Sequence, residues 1–207
     1  MIPDFPALLS SLAGRRPVFH SEADLQHELA WHLRETHRQS HLRLEHPLPW
    51  AGNGAIDMII HHNDQLVAVE LKYLCGGTQA KVGNETFALK HQGAHDIRRY
   101  DVLKDISRME QFIRHHPGAL ASVIVLTNDP AYWTGPKKEG TYDAAFSLRE
   151  GRRVSGSLAW SDATGTGTKK HREAIIELSG SYEMRWVKYS QLDAKFGEFR
   201  FLHVDIR

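Results

Sequence analysis

Cysteine is nearly absent. Cys75 is the only one in 207 residues, so no intrachain disulfide can staple the fold, and the small secreted disulfide scaffolds are excluded. Charge of one sign is also missing: Lys and Arg total 26 against 25 Asp and Glu, which leaves no net field to draw in a polyanion. Any contact with nucleic acid must therefore use a local basic patch. Long apolar runs are lacking too, the longest strictly aliphatic one, Val123 to Leu126, being far too short to cross a bilayer. The amino terminus, MIPDFPALLSSLAGRR, carries an acid and two prolines where an export signal needs a positive start. A reducing, cytoplasmic setting without membrane contact is the expectation.

What is present is an ordinary globular composition, 41% hydrophobic and 25% charged, long enough to bury a sizeable core without metal or disulfide staples. A single domain over residues 1–207 is expected, with a core at about 21–127 and a β-rich carboxy-terminal elaboration at about 141–207. Ser21 leads into Leu25, Leu29 and Leu33, a serine cap before an apolar stripe, and predicts a helix from Glu22 to about His37. Strands are expected near Leu42 to Leu48, then Ala55 to His61 and Leu66 to Tyr73, the last two joined at Asn63-Asp64. Cys75 to Asn84, with three glycines and no periodicity, reads as a mobile edge loop. A second helix begins near Gln92 or Asp96, carries Val102, Ile106, Met109 and Ile113 on one face, and stops at Pro117-Gly118. Ala121 to Thr127 follows as a buried strand. Beyond Thr141 short strands are expected at 143–149, 154–160, 174–178 and 199–205. Ser161 to Lys170 lacks phosphate-loop spacing and reads as a polar hairpin loop. The fold class is α/β, a mixed central sheet flanked by helices.

Alternation in the strand after Asn63-Asp64 puts Leu66, Ala68, Glu70 and Lys72 on one face. An even loop in the hairpin sets Asp57 opposite Glu70. Like charges so placed are destabilising, by about 4 kcal/mol at an effective dielectric of about 20 and a separation of about 4 Å. Both faces of the Asp57 strand are partly apolar, which argues against relief by bulk water. A divalent cation with oxygen ligands would offset the repulsion, and Lys72 would do so in part. At about 100° per residue Glu22 falls between Leu29 and Leu33 on the buried stripe, so it either joins these acids or complements the helix dipole from the first turn.

Asp57, then twelve residues, then Glu70-Leu71-Lys72, preceded by a Glu-bearing helix, resembles the PD-(D/E)XK nuclease superfamily. The order helix, hairpin, helix, strand over roughly Ser21 to Thr127 is similar as well. Ile56 departs from the pattern, standing where the family's namesake proline often is. The resemblance implies a restriction-endonuclease-like αβββαβ core and a phosphodiesterase dependent on Mg²⁺ or Mn²⁺. It further implies Asp57, Glu70 and the Leu71 carbonyl as metal ligands, Glu22 as the helix acid many members add, and Lys72 at the attacking water. The implied partner is nucleic acid, DNA in defence or repair. The alternative is a catalytically inactive member of the same fold, its acids retained for structure, acting as a nucleic-acid- or protein-binding module.

Other residues carry weaker signals. His95 and Arg99 continue the apolar face of the second helix toward its start, where they would approach a substrate phosphate or else cap the helix and cover the core edge. Lys81, Lys90, Arg98, Arg99 and Lys104 cluster around the glycine-rich loop and form the favoured local basic patch, equally readable as a solvated face. Among 14 histidines the adjacent pairs His61-His62 and His115-His116 cannot share a face, and no zinc spacing is expected. Trp133, Trp160 and Trp186 are expected in packing, Cys75 as a bystander. Monomer and homodimer are both compatible with the sequence.

Overall fold

The computed structural model describes residues 3–48, 50, 54–135 and 140–207. Helices α1 (Phe5–Arg15) and α2 (Glu22–Thr36) precede strands β1 (His41–Pro47), β2 (Ala55–His62) and β3 (Gln65–Leu74). A hairpin of β4 (Thr78–Val82) and β5 (Glu85–Leu89) leads to α3 (His95–His115) and β6 (Leu120–Thr127). Strands β7 (Arg153–Leu158), β8 (Ile176–Glu183), β9 (Trp186–Gln191) and β10 (Glu198–Ile206) complete the chain. Six strands form one mixed sheet in the order β1-β2-β3-β6-β10-β9, and β4-β5 and β7-β8 form two-stranded sheets of their own. The fold is α/β. Among the described residues no helix is long and apolar enough to cross a membrane.

The sheet is covered on both faces, and alternation along β3 shows how. Val67, Val69, Leu71 and Tyr73 join the cluster under α1 and α2, which includes the fully buried Leu25, Leu29 and Leu33. Ala68 and Leu74 join the cluster under α3, with Val102, Ile106 and Met109. Each such leucine contributes roughly 1.5 to 3 kcal/mol on burial, so the two apolar stripes read in the sequence fix which side of the sheet each helix covers. Ser21 caps α2 by accepting from the Asp24 N–H at 3.1 Å. Among the described residues the only parallel pair is β3 with β6, and α3 provides the crossover between them.

Several expected elements differ. The 75–84 segment is not a loop throughout, because Thr78 to Val82 pairs with Glu85 to Leu89 about a turn at Gly83, whose φ of 58° suits glycine. No strand forms at 143–149; a short 3-10 helix spans Ala144–Phe146. The carboxy-terminal strands divide, since β9 and β10 extend the central sheet whereas β7 and β8 stand apart on α3. Residues 161–170 lie within the β7–β8 connection, as a polar hairpin loop would. Trp133, Trp160 and Trp186 are buried in the α3-side core.

Candidate functional site

Strands β2 and β3 form the expected even hairpin: His62 pairs with Gln65, leaving Asn63-Asp64 as the loop, and Asn63 turns it at φ 52°. Pairing continues to Met58 and Val69 and then stops. β3 nevertheless stays paired with β6 as far as Leu74 and Thr127. Past Val69, therefore, one edge of β3 has no strand beside it among the described residues, and its N–H groups need other acceptors. Two carboxylates provide them. Asp57 Oδ2 accepts from the Leu71 N–H at 2.6 Å, and Glu22 Oε2, from the first turn of α2, accepts from the Tyr73 N–H at 2.8 Å.

Glu70 and Lys72 point to the α3 face, as alternation requires. There Arg108 Nη2 lies 2.6 Å from Glu70 Oε2 and 3.1 Å from Asp105 Oδ1, while Lys72 Nζ lies 3.1 Å from Asp105 Oδ2. Lys72 Nζ also donates to the Leu71 carbonyl at 3.0 Å. Asp105 and Arg108, three apart on one helix face, thus supply a counter-ion to each of the two β3 residues. Gln26 braces the edge from α2, its Nε2 donating to the Asp57 carbonyl at 2.7 Å and to Glu45 Oε1 at 2.8 Å. Glu70, Asp57, Lys72 and Glu22 are therefore brought to one end of the β2–β3 hairpin. The expected head-on repulsion between Asp57 and Glu70 is relieved differently from the sequence reading: Asp57 turns to a backbone N–H and Glu70 to a guanidinium.

The electrostatics follow from burial. Desolvation, reinforced by the Asp105 charge, pushes the Glu70 carboxyl up to about 9 against the pull of Arg108. Burial also raises Glu22 and Asp57, opposed by Lys72 and by the N–H groups they accept from. Burial alone would weaken the Lys72 ammonium, but Asp105, Glu22, Asp57 and Glu70 outweigh it and hold its pKa above the usual lysine range. Lys72 is therefore a fixed cation and not a base. Burial pushes the Cys75 thiol up to about 12, which fits an inert bystander.

The donors suit a hard divalent cation in kind, being carboxylate and carbonyl oxygens. Glu70 Oε1 is buried with no hydrogen-bond partner among the described residues, an oxygen free to take a ligand. These acids do not form a tight cage as they stand. Among the described residues, ligand atoms of three or more His, Cys, Asp or Glu side chains gather within 4.8 Å of one another only at His91, His95 and Asp129.

His95 and Arg99 are not brought to the carboxylates. His95 Nε2 lies 2.8 Å from Asp129 Oδ2, and Arg99 pairs with Asp143 at 2.5 Å while donating to the Ala131 carbonyl at 3.2 Å. Asp105 is ten residues further along α3 than His95, about 15 Å of helix rise. Sequence reading missed Asp105, Arg108, Gln26 and Glu45. The available signal for the first two was their i, i+3 spacing at the edge of the apolar stripe.

Comparison with protein-family models, with curated proteins and with solved structures returns no match.

Proposed function

We propose that the chain is a divalent-metal-dependent nuclease that hydrolyses phosphodiester bonds, acting on DNA in defence or repair within the cytoplasm. We read the order α2, β1, β2, β3, α3, β6 as a restriction-endonuclease-like core. One observation carries the reading: Glu22, Asp57, Glu70 and Lys72 meet where β2 and β3 part, as the resemblance of Asp57 and Glu70-Leu71-Lys72 to the PD-(D/E)XK pattern requires. Asp57, Glu70 and the Leu71 carbonyl would hold Mg²⁺ or Mn²⁺, with Glu22 as the further acid. Such an ion supplies an acidic water at neutral pH and screens phosphate charge. Lys72, held cationic, orients the attacking water and balances the charge that develops on phosphate. A cavity of about 430 Å³ bordered by Trp50, Tyr100, Lys104 and Arg108 adjoins the Glu70–Arg108 pair and supplies two cations for a polyanion.

A second reading has its own observation. Every titratable group of the site already has a partner within the chain: Arg108 for Glu70, Asp105 for Lys72, and backbone N–H groups for Asp57 and Glu22. The same arrangement would serve a non-catalytic binding module whose acids hold the parted strands. Labelled single-stranded, double-stranded and branched DNA and RNA, incubated with Mg²⁺ or Mn²⁺, separate the two. Cleavage that needs metal and disappears in Asp57→Asn and Lys72→Ala supports the nuclease. Binding without cleavage by folded wild-type protein supports the module, and undiminished cleavage by Lys72→Ala removes that lysine from the mechanism.

A further inference from the structure

We infer that His91, His95 and Asp129 form a second metal centre, separate from the carboxylate site and selective for a borderline transition-metal cation such as Zn²⁺. The three side chains come from different places. His91 lies between β5 and α3, His95 is the first residue of α3, and Asp129 follows β6. Ala94, in the left-handed region at φ 61°, turns the chain between the two histidines, and their rings stand 5.7 Å apart.

Two imidazole nitrogens converge on one buried carboxylate oxygen. His95 Nε2 is 2.8 Å and His91 Nε2 is 3.7 Å from Asp129 Oδ2, and all three ligand atoms lie within 4.8 Å of one another. A tetrahedral ion with bonds of about 2.0 to 2.1 Å requires ligand atoms about 3.3 Å apart. The carboxylate distances bracket that value. The adjustment falls on His91, whose side chain is 53% exposed and free to swing, while Asp129 is 8% exposed. A hydrogen bond accounts for the His95 contact alone, since 3.7 Å is too long for a second one.

The remaining polar atoms are arranged to hold Asp129 still. Asp129 Oδ1 accepts from the Ala131 N–H at 3.0 Å, and its own N–H donates to Thr127 Oγ1 at 3.0 Å. The Tyr132 ring packs on His95 with centroids 5.3 Å apart. Such outer contacts orient first ligands in metal proteins. Two imidazoles and one carboxylate match the donor preferences of Zn²⁺ better than those of Mg²⁺, and three protein ligands leave a position for water. Bound there, the ion ties the start of α3 to the end of β6, and so fixes the helix that presents Asp105 and Arg108 to the carboxylate site.

The test uses the full chain, stripped with chelator and titrated with Zn²⁺ against a chromophoric chelator, with Co²⁺ absorption as an independent readout. Wild type should take one equivalent at micromolar affinity or tighter and give the visible bands of four-coordinate Co²⁺. His91→Ala, which alters a half-exposed side chain and leaves the core intact, should lose at least about tenfold in Zn²⁺ affinity and the Co²⁺ bands. Asp129→Asn should weaken binding similarly, and Glu70→Gln should change neither readout, which separates this centre from the proposed nuclease site. Absence of Zn²⁺ binding by wild type, or unchanged affinity and spectrum in His91→Ala, would overturn the assignment.

Discussion

Glu70→Gln in metal-free protein offers the sharpest test of the site's electrostatics. The wild-type carboxyl is raised to about 9 by burial and by Asp105, against about 4.3 for an unfolded glutamate. A carboxyl raised in the native state keeps its proton after the unfolded chain has lost it. Stability from this group is therefore full below about pH 4.3 and is lost as pH rises toward 9. The slope is at most one proton's worth, about 1.4 kcal/mol per pH unit. From pH 7 to 8.5 that amounts to about 2 kcal/mol, or a fall in melting temperature of about 4 to 8 °C for a domain of this size.

The comparison of the two proteins isolates the effect, because Cys75, whose thiol burial also pushes up, adds a smaller loss near pH 8.5 that is common to both. Burial lowers the imidazole pKa of His203 and His37, and groups lowered in this way weaken the fold only toward acid pH. Gln keeps the shape of Glu and an acceptor for Arg108, which also retains Asp105 at 3.1 Å. Thermal melts in excess EDTA should accordingly show wild type losing stability across pH 7 to 8.5 while Glu70→Gln stays nearly level and overtakes it. Parallel slopes in the two proteins would refute the claim that Glu70 is held protonated by its surroundings.

The fold was readable wherever one apolar period ran uninterrupted. Leu25, Leu29 and Leu33 announce α2, the Val and Leu run from Leu66 to Tyr73 announces β3, and Ala121 to Thr127 announces β6; all are buried except Leu66 and Lys72, which are half-buried. The failures have physical reasons. β4 and β5 bury few residues, chiefly Thr78, Ala80, Phe87 and Leu89, so a short amphipathic hairpin looked like a glycine-rich loop. The start of α3 was ambiguous because Ala94 stands at its cap with no side-chain hydrogen bond. For α1 the start signal is local: Asp4 accepts from the Ala7 N–H at 3.0 Å, with proline in the first turn.

The site divides along the same line. Glu70 and Lys72 follow from alternation in one strand, and Asp57 follows from the two-residue hairpin loop. The departure of β2 from β3 after Val69 could not be read, yet it decides what Asp57 and Glu22 do, because it leaves the Leu71 and Tyr73 N–H groups open. Asp105 and Arg108 depend on the rotation of α3 about its axis, which only packing sets. The triad of His91, His95 and Asp129 needs a ligand 34 residues beyond the second histidine, and spacing alone cannot pair it.

Two further outcomes are expected. Glu110, buried beneath β8, accepts from the Ser179 N–H and Oγ at 2.9 Å, the Gly180 N–H at 2.7 Å and the Tyr182 hydroxyl at 2.8 Å. Glu110→Ala strips the link between α3 and β8 and should cost about 2 to 4 kcal/mol in chemical denaturation; a loss under about 0.5 kcal/mol would show that β7–β8 is held by apolar contacts alone. The last prediction concerns the cation and needs no substrate. If Asp57 and Glu70 hold Mn²⁺ only in the folded chain, saturation at about 100 times the dissociation constant adds about 2.7 kcal/mol, a rise of about 5 to 11 °C in melting temperature. Asp57→Asn removes one ligand charge and should abolish most of that rise. His91→Ala should retain it, because the histidine centre lies at the other end of α3's first three turns. An equal shift in wild type and Asp57→Asn would place the cation away from the parted strands, and with it would go the argument that Asp57 and Glu70 are ligands.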